Sequence, residues 1–402
     1  MLTAQNLFKR FGTEKTLIIL ISRVYFKTAD RSEIEALLNA HTPDWDLCYR
    51  IIRQHGMRPF IYYSIQNNGI EVDEVFVKRL KADLMHLSMV NLHQQKHLME
   101  LVKGLAAAGI PVIPYKGLSF AKSYYQSSSI RESSDIDLLI DRKSVKAALR
   151  YFKAKGMPFK SGWKFPEKWL NYYQGIAKDL ELKTTATNHM LACTVEIQWK
   201  LTELHMGPFV EFDFFSKGLE PKRNPGDHNE YARLQPAYDF LCVASNHFIR
   251  EPLLRFKYAV DMACLMQTAG ERIDGVLIRD VLSKYQHKKI VNAALSAVDD
   301  LLGISTEQLP FDPVSDNPLL GVATAYPAVK MMDMGNAHFP FFLDLQDSTL
   351  ERWKARLRTL YYYMVPTEAD IRFFNFPVGL LPLLFILRPF RLLFKLYSKD
   401  GH

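Results

Sequence analysis

The segment ESSDIDLLID, residues 132–141, places two carboxylates on a stretch that otherwise reads as a buried strand. Asp135 and Asp137 alternate with Ile136 and Leu138. Side chains two residues apart in a β-strand point to the same side, about 6.5–7 Å from each other. Two carboxylates there repel each other and add nothing to a core, so the pattern predicts a positive partner, most simply a divalent cation. The spacing alone is weak evidence, because solvated strand ends produce such pairs by chance.

Composition describes a folded chain with a basic balance. The 402 residues are 48% hydrophobic and 23% charged, with a net charge of +8 that favours phosphate-bearing ligands, nucleic acid or an anionic membrane surface. The four cysteines are far apart, which argues against a zinc site or a disulfide framework and suits a reducing compartment. We find no stretch of about 20 apolar residues, and we expect no transmembrane span and a cytoplasmic location.

The pattern along the chain predicts an α+β fold. Residues 1–108 show helical spacing of apolar residues, residues 109–222 switch to strand-like runs mixed with helices, and residues 223–402 return to helices with an apolar and basic tail. This layout predicts a small mixed sheet flanked by helical regions at both ends. The long helix before Gly109 carries His86, His93 and His97, which are typical of ordinary helix packing rather than of a metal site.

The central region combines a glycine turn with acidic strands. The run IPVIPY predicts a short strand near an edge, and Gly117 follows it at the start of a helix over LSFAKSYY. Such a turn presents backbone N–H groups and the helix dipole to an anion. IAKDLELKTT and ACTVEIQWKLT predict an antiparallel hairpin, and its second strand carries Glu196 between Val195 and Ile197. A lone acid between two apolar residues needs a partner.

The glycine turn, the acidic–x–acidic strand and a third acid on a later strand resemble the nucleotidyltransferase superfamily of DNA polymerase β. More specifically, YKGLSF with RESSDIDLLID resembles a family of uncharacterised bacterial nucleotidyltransferases. The likeness extends to DWDLCYRIIRQHGMRPFIYYSI, to SNHFIREPLLRFKYAVDMACLM, and to VPTEAD and LRPFRLLFKLY near the end. One position departs from the family pattern: Gln198 stands where members often have histidine, which puts a role for that position in doubt.

The resemblance implies transfer of a nucleoside monophosphate from a nucleoside triphosphate to an acceptor, by a two-metal mechanism. Asp135, Asp137 and Glu196 would then be the catalytic and metal-binding residues, with two Mg²⁺ ions expected and Mn²⁺ as a substitute. The nucleotide would be held by Lys116, by Gly117, Leu118 and Ser119 through their N–H groups, and by Arg131. The acceptor stays open between a small molecule, a sugar phosphate, a protein side chain and an RNA end.

Two other functions remain open at this point. A DxD glycosyltransferase would use the aspartates to hold Mn²⁺ and a nucleotide sugar, although such enzymes usually place a longer α/β region before the motif. A non-catalytic module of the same fold would bind a nucleotide or a partner. For His247, Arg255 and Asp261 we favour internal polar contacts over catalysis. Lys116 could instead be an exposed lysine at the end of a strand, and Arg131 could balance the charges of Asp135 and Asp137. His189 and His205 flank the strand of Glu196, and the sequence gives no geometric reason to place either in the site.

The tail FPVGLLPLLFILRPFRLLFKLY also allows two interpretations. Its prolines and its glycine exclude a spanning helix. It could lie on an anionic membrane as an amphipathic segment. We favour the other interpretation, an apolar arm packed on the protein's own helices with Arg388, Arg391 and Lys395 facing water.

Overall fold

The computed structural model describes residues 1–162, 167–184, 193–220, 231–306, 309, 311–325 and 339–397. The chain begins with helices α1 (Ala4–Phe26, with a non-helical Gly12), α2 (Arg31–Ala40), α3 (Trp45–Gln54), α4 (Arg58–Asn68) and α5 (Glu74–Ala107). Local chemistry sets several of their ends. Thr3, Asp44 and Asp73 accept hydrogen bonds from backbone N–H groups at helix starts, and Gly69 ends α4 with a left-handed φ of 59°.

The central region follows as β1 (Val112–Pro114), α6 (Gly117–Tyr124), β2 (Asp135–Ile140), α7 (Val145–Ala154), α8 (Leu170–Ile176), β3 (Asp179–Lys183) and β4 (Thr194–Gln198). In the described part of the chain these strands form a four-stranded sheet in the order β1-β2-β4-β3. β2 runs parallel to β4, and the two outer pairs are antiparallel. The predicted mixed sheet, its edge strand β1 and its β3–β4 hairpin are confirmed.

The C-terminal region is again helical. After α9 (Phe212–Lys217) and the short pair β5 (Leu219–Glu220) and β6 (Arg233–Leu234), it contains α10 (Pro236–Ala244), a π-helix (Ser245–Arg250), α11 (Phe256–Ala269), α12 (Gly275–Tyr285) and α13 (Lys288–Leu302). It ends with α14 (Leu319–Ala323), α15 (Phe339–Asp344), α16 (Thr349–Met364), α17 (Glu368–Phe374) and α18 (Leu381–Tyr397).

The two faces of the sheet pack against different partners. Ile136, Leu138 and Ile140 belong to one apolar core with Leu101 and Phe152 of the flanking helices α5 and α7. The other face of β2 presents the acids at its start and then Leu139, which joins the large core built by the N- and C-terminal helices. The acidic end of β2 is therefore directed toward the C-terminal helices.

The helical regions at the two ends of the chain share that large core. Arg23 of α1 is buried, and its guanidinium donates 2.8 Å hydrogen bonds to the carbonyl oxygens of Leu301 and Asp300 at the end of α13. His55 links α3 to α11, since its Nδ1 accepts from the N–H of Phe256 at 2.9 Å. The N- and C-terminal helices therefore pack on each other through one core, and the domain boundaries at 108 and 222 stay a prediction.

The tail packs in an orientation opposite to the expected one. Arg388 is buried, donates to the carbonyl oxygen of Tyr363 at 2.7 Å, and pairs with Asp370, as Arg391 also does. Ile386 and Phe390 of the same helix are instead 63% and 58% exposed. The expectation of inward apolar and outward basic residues is therefore wrong for Arg388 and Arg391. The buried carboxylate of Asp370 attracts both guanidinium groups, which outweighs their preference for water.

All four cysteines are free and buried. Among the helices that the structure describes, none has the length and hydropathy needed to cross a bilayer.

Candidate active site

Two carboxylates face each other on neighbouring strands of the sheet. Asp137 of β2 lies opposite Glu196 of β4 in the parallel register, so both side chains project from the same face. Asp135 and Gln198 share that face, because each lies two residues away on its strand. The sheet therefore places the three acids predicted from the sequence on one face.

A hydrogen-bonded network holds the acidic pair. Gln198 Nε2 donates to Asp137 Oδ1 at 3.0 Å and to Glu196 Oε2 at 2.8 Å, and its Oε1 accepts from the hydroxyl of Tyr115. Lys116 Nζ lies 3.4 Å from Asp137 Oδ1. Gln198, the position that departs from the family pattern, thus bridges the two acids. Asp135 differs from them, because no described residue donates a hydrogen bond to its carboxylate.

The turn from β1 into α6 lies against the acidic strand. Lys116 and Gly117 both have positive φ angles, 53° and 44°, which turn the chain sharply into the helix. A Cβ at residue 117 would lie 3.2 Å from Ser133 Oγ and 3.4 Å from the carbonyl oxygen of Asp135. The N–H of Phe120 bonds back to Lys116 at 2.9 Å, and the N–H groups of the first residues, Gly117 to Ser119, have no partner within the helix. N–H groups at the start of a helix attract anions in general, and these lie beside the carboxylates.

Burial and mutual repulsion disfavour the charged acids. Burial raises the pKa of Glu196 to about 7, and the neighbouring carboxylate of Asp137 adds to the shift. The pKa of Asp137 is also raised, because burial and Asp135 outweigh the opposing charges of Lys116 and Lys178. Glu196 therefore changes its proton occupancy near neutral pH, and both acids gain from added positive charge.

The donor set fits a divalent cation in its chemistry. Carboxylate oxygens on adjacent strands are the ligands that Mg²⁺ and Mn²⁺ accept, and a cation would relieve the repulsion that raises both pKa values. Among the described residues, however, no three histidine, cysteine, aspartate or glutamate side chains converge closely enough to hold one ion. For the three acids to share an ion, the amide of Gln198 and the ammonium of Lys116 have to move away from Asp137 Oδ1.

Arg131 lies in a different environment from the one predicted. Its guanidinium forms a two-pronged pair with Asp261 of α11, at 2.7 and 2.8 Å. Asp261 also accepts from Tyr125 at 2.6 Å and from His247 Nε2 at 2.8 Å, and all four side chains are buried. The expected internal polar contacts of His247 and Asp261 are present, whereas Arg255 is exposed at the start of α11. Arg131 ties the strand region to the C-terminal helices.

The π-helix contributes residues that sequence reasoning did not assign. Asn246 Oδ1 accepts from Lys116 Nζ and from Arg250 Nη1, both at 3.0 Å. Burial opposes the charge of Arg250, but surrounding carboxylates, including Glu251 and Glu196, raise the pKa of its guanidinium. Lys178, buried before β3, pairs with Asp179 and lowers the pKa values of both central acids. For Asn246 and Arg250 the sequence signal was the segment SNHFIR, because polar residues inside an apolar helical run need partners.

The remaining histidines lie elsewhere or form small local contacts. His93 and His97 approach each other on α5, with Nε2 atoms 3.0 Å apart, and the described chain adds no third ligand to make a metal site. His205 packs beside Tyr362 of α16, with ring centroids 5.0 Å apart. His189 lies outside the described residues.

The small mixed sheet carries the two aspartates of β2, the facing Glu196 of β4 and the glycine turn. This arrangement is expected of a nucleotidyltransferase. The chain matches the family model described as an uncharacterised nucleotidyltransferase over residues 41–303. It therefore belongs to this nucleotidyltransferase family. The match includes the sheet and α10–α13, whereas the resemblance noted for the tail lies outside it. No curated protein and no solved structure matches the chain.

Proposed function

We propose that this protein transfers a nucleoside monophosphate from a nucleoside triphosphate to an acceptor hydroxyl, with Mg²⁺ as cofactor. The observation that carries the proposal is the pairing of Asp137 with Glu196 across β2 and β4, beside the Gly117 turn. It places paired acids next to an anion-binding helix end, which suits a triphosphate that arrives with metal ions. The proposal includes a cytoplasmic location, because nucleoside triphosphates and Mg²⁺ are both available there.

In this proposal each group has a distinct task. Asp135, Asp137 and Glu196 would hold the cation or cations, which when bound offset phosphate charge and stabilise the attacking and leaving oxygens. The N–H groups of Gly117, Leu118 and Ser119 would bind phosphate oxygens. Once a cation binds Asp137, the ammonium group of Lys116 would leave that carboxylate and contact the triphosphate. Mn²⁺ would substitute, because it accepts the same oxygen ligands.

Toward the acceptor, Glu196 has two alternative tasks: to ligate the metal that activates the hydroxyl, or to remove its proton. The pKa of about 7 suits a general base as long as no cation is bound to Glu196 itself, whereas a bound cation would make Glu196 a metal ligand only. Arg250 lies close enough for Glu196 to affect its pKa, and its charge would favour an anionic acceptor or the departing pyrophosphate. Arg131, paired with Asp261, would act by positioning the segment before β2, and direct nucleotide contact by Arg131 stays a prediction.

The rival functions differ in what they require. A glycosyltransferase that uses the aspartates for a nucleotide sugar finds no support in the family assignment, which favours nucleotidyl transfer. A non-catalytic module of the same fold would keep the helix end and lose the need for paired acids. The buried, mutually repelling pair favours catalysis, because burying two acids without a cation to bind is unfavourable.

Thermal unfolding with each nucleoside triphosphate, with and without Mg²⁺, tests the proposal. A ligand that binds only the native state at about 100 times its Kd stabilises it by about 2.7 kcal/mol. We expect a magnesium-dependent rise in Tm for one nucleotide, and loss of that rise in Asp135→Ala/Asp137→Ala. Asp135→Asn/Asp137→Asn keeps the side-chain shapes if the alanines disturb the fold.

A matched control removes the same charge elsewhere. Glu33 and Glu35 form an acidic–x–acidic pair on α2, far from β2 in sequence, and Glu33→Ala/Glu35→Ala should retain the full ligand effect. A rise in Tm of equal size without Mg²⁺, or in the aspartate variants, would contradict the proposed site. No rise with any nucleotide would also contradict the proposal, and would favour a nucleotide-sugar donor or a non-catalytic module that binds a partner.

A further inference from the structure

Helix α16 exposes its apolar side to solvent. The apolar residues recur every three or four positions, and each is more than 40% exposed: Leu350, Trp353, Leu357, Leu360, Tyr361 and Met364. This spacing places them on one stripe along the whole helix. At 1.5 Å per residue the stripe is about 20 Å long. We call these six residues the α16 stripe.

The opposite side of α16 is the side that packs on the protein. Ala355 and Thr359 are buried, and Arg358 Nε donates to the carbonyl oxygen of His205 at 3.4 Å in the segment that follows β4. Small and polar residues thus face inward, and large apolar residues face outward. An ordinary surface helix has the reverse arrangement. The outward stripe therefore needs an explanation other than the protein's own core.

Helix α18 repeats this inversion. Leu384 and Arg388 are buried against the protein, whereas Leu383, Ile386 and Phe390 are exposed. Positions 383, 386 and 390 share one helix face by their spacing. α18 is tied to the end of α16 by the hydrogen bond from Arg388 Nε to the carbonyl oxygen of Tyr363, at 2.7 Å. Two linked helices thus both expose apolar faces.

Basic residues flank the apolar stripe. By helical geometry Lys354 and Arg356 lie on its two sides, and the guanidinium of Arg356 lies 4.9 Å from the centroid of the Trp353 ring. Together α16 and α18 carry seven lysine and arginine residues and one acid, Glu351. Arg388 and Arg391 pair with Asp370. Lys354 and Arg358 lie 2.7 and 4.0 Å from Glu351, and Arg352 lies 4.0 Å from Asp344. With these three acids set against the seven basic residues, an excess of four positive charges remains.

We propose that the α16 stripe and the exposed face of α18 bind an anionic lipid surface. Leucine, tryptophan and tyrosine with flanking basic residues are the composition of helices that lie in the headgroup region of a bilayer. A second copy of this chain is the less suitable occupant, because it would bring the same positive charge to the contact. The attachment would be peripheral, and it is independent of the nucleotidyl transfer proposed above.

Flotation of the full chain with lipid vesicles tests this proposal. Vesicles of phosphatidylcholine alone and of phosphatidylcholine mixed with phosphatidylglycerol provide the neutral and anionic surfaces. We expect binding to the anionic vesicles that weakens with added salt. Leu357→Glu/Leu360→Glu should lower that binding by at least about tenfold, since it removes apolar contact and adds repulsion.

Matched variants separate the surface from general effects of charge. Val75→Glu/Met85→Glu adds the same charge at exposed apolar positions of α5 and should bind like wild type. Lys354→Gln/Arg356→Gln keeps the stripe and should selectively weaken binding to anionic vesicles. Circular dichroism and Tm verify that each variant is folded.

Three results would overturn the proposal. One is equal binding to neutral and anionic vesicles, and another is unchanged binding by Leu357→Glu/Leu360→Glu. The third is a wild-type dimer in light scattering that this variant converts to a monomer, without vesicle binding by either protein. That last result would assign the face to a second copy of the chain.

Discussion

At the scale of single residues, the site depends on acids that are costly to bury together. Glu196 and Asp137 face each other on adjacent strands, and Gln198 bridges them by donating to both. A neutral amide satisfies oxygen atoms without cancelling their charge. Burial raises the pKa values of both acids and neighbouring carboxylates add to the shift, which the charge of Lys116 only partly offsets.

This arrangement predicts that metal binding strengthens as pH rises. A carboxyl must lose its proton to bind a cation, and the pKa of Glu196 is about 7. Between about pH 6 and pH 8 we expect the affinity for Mn²⁺ to rise by about tenfold, measured by isothermal titration calorimetry. Glu196→Gln should weaken binding and flatten the dependence on pH.

A neighbouring acid provides the control for that measurement. Glu181 of β3 lies opposite Glu196 in the sheet and is paired with Lys160 at 2.7 Å. Glu181→Gln should retain the pH dependence. If Glu196→Gln showed the same dependence as wild type, the titrating metal ligand would be another residue.

At the scale of elements, the site depends on the close contact between the β1–α6 turn and β2. Gly117 combines a left-handed backbone with a position against Ser133 and the backbone of Asp135. A side chain here would strain the turn and press on the start of the acidic strand. The requirement for glycine therefore has both a conformational and a steric cause.

Gly117→Ala should lower both stability and nucleotide binding. The left-handed conformation costs a non-glycine residue about 1–2 kcal/mol, and the clash with Ser133 adds to it. Gly109→Ala is the matched control, because Gly109 has a φ of 70° and open space around its missing Cβ. Urea unfolding should show a loss in both variants, and titration with nucleotide should show weaker binding in Gly117→Ala alone. Equal binding by the two variants would contradict a role for the turn.

At the scale of the whole molecule, polar contacts between distant segments hold the helical regions together. Nδ1 of His55 accepts from the N–H of Phe256, and its Nε2 lies 3.0 Å from the carbonyl oxygen of Ala325, to which it donates. His55 is buried in these contacts, and burial lowers its pKa to about 4. An added proton would break the bond from Phe256. The contact therefore requires a neutral ring.

The contribution of His55 to stability should decline as pH falls. Its folded pKa of about 4 lies below the ordinary value of 6.5, so the unfolded chain takes up the proton first. The contribution is complete above pH 6.5 and is lost toward pH 4. Burial raises the pKa of Asp239 to about 7, so the contribution of such buried acids to stability declines as pH rises, opposite to that of His55. The effect of His55 is therefore measured as a difference between wild type and a variant.

We therefore compare wild type with His55→Gln by urea unfolding at about pH 7 and about pH 5. The loss of unfolding free energy caused by the substitution should be smaller at the lower pH, by about 2 kcal/mol. His86→Gln, at an exposed position of α5, is the matched substitution. An equal loss for His55→Gln at both pH values would show that its protonation is not linked to folding.

The local sequence by itself determined the elements that carry the chemistry. Alternation in 135–140, the glycine at 117 and the acid at 196 predicted the strands, the turn and the shared acidic face, because strand periodicity and turn conformation are local properties. Membership of the nucleotidyltransferase family agrees with the resemblance those residues carry.

Tertiary structure alone decided which distant groups meet. The pairing of Arg131 with Asp261, the arrival of Asn246 and Arg250 beside Lys116, and the inward turn of Arg388 join segments far apart in sequence. No local pattern encodes these contacts, because a buried charge takes whichever partner the packed helices bring within reach. The same packing left the apolar side of α16 outside, since its small residues fit the contact with the protein.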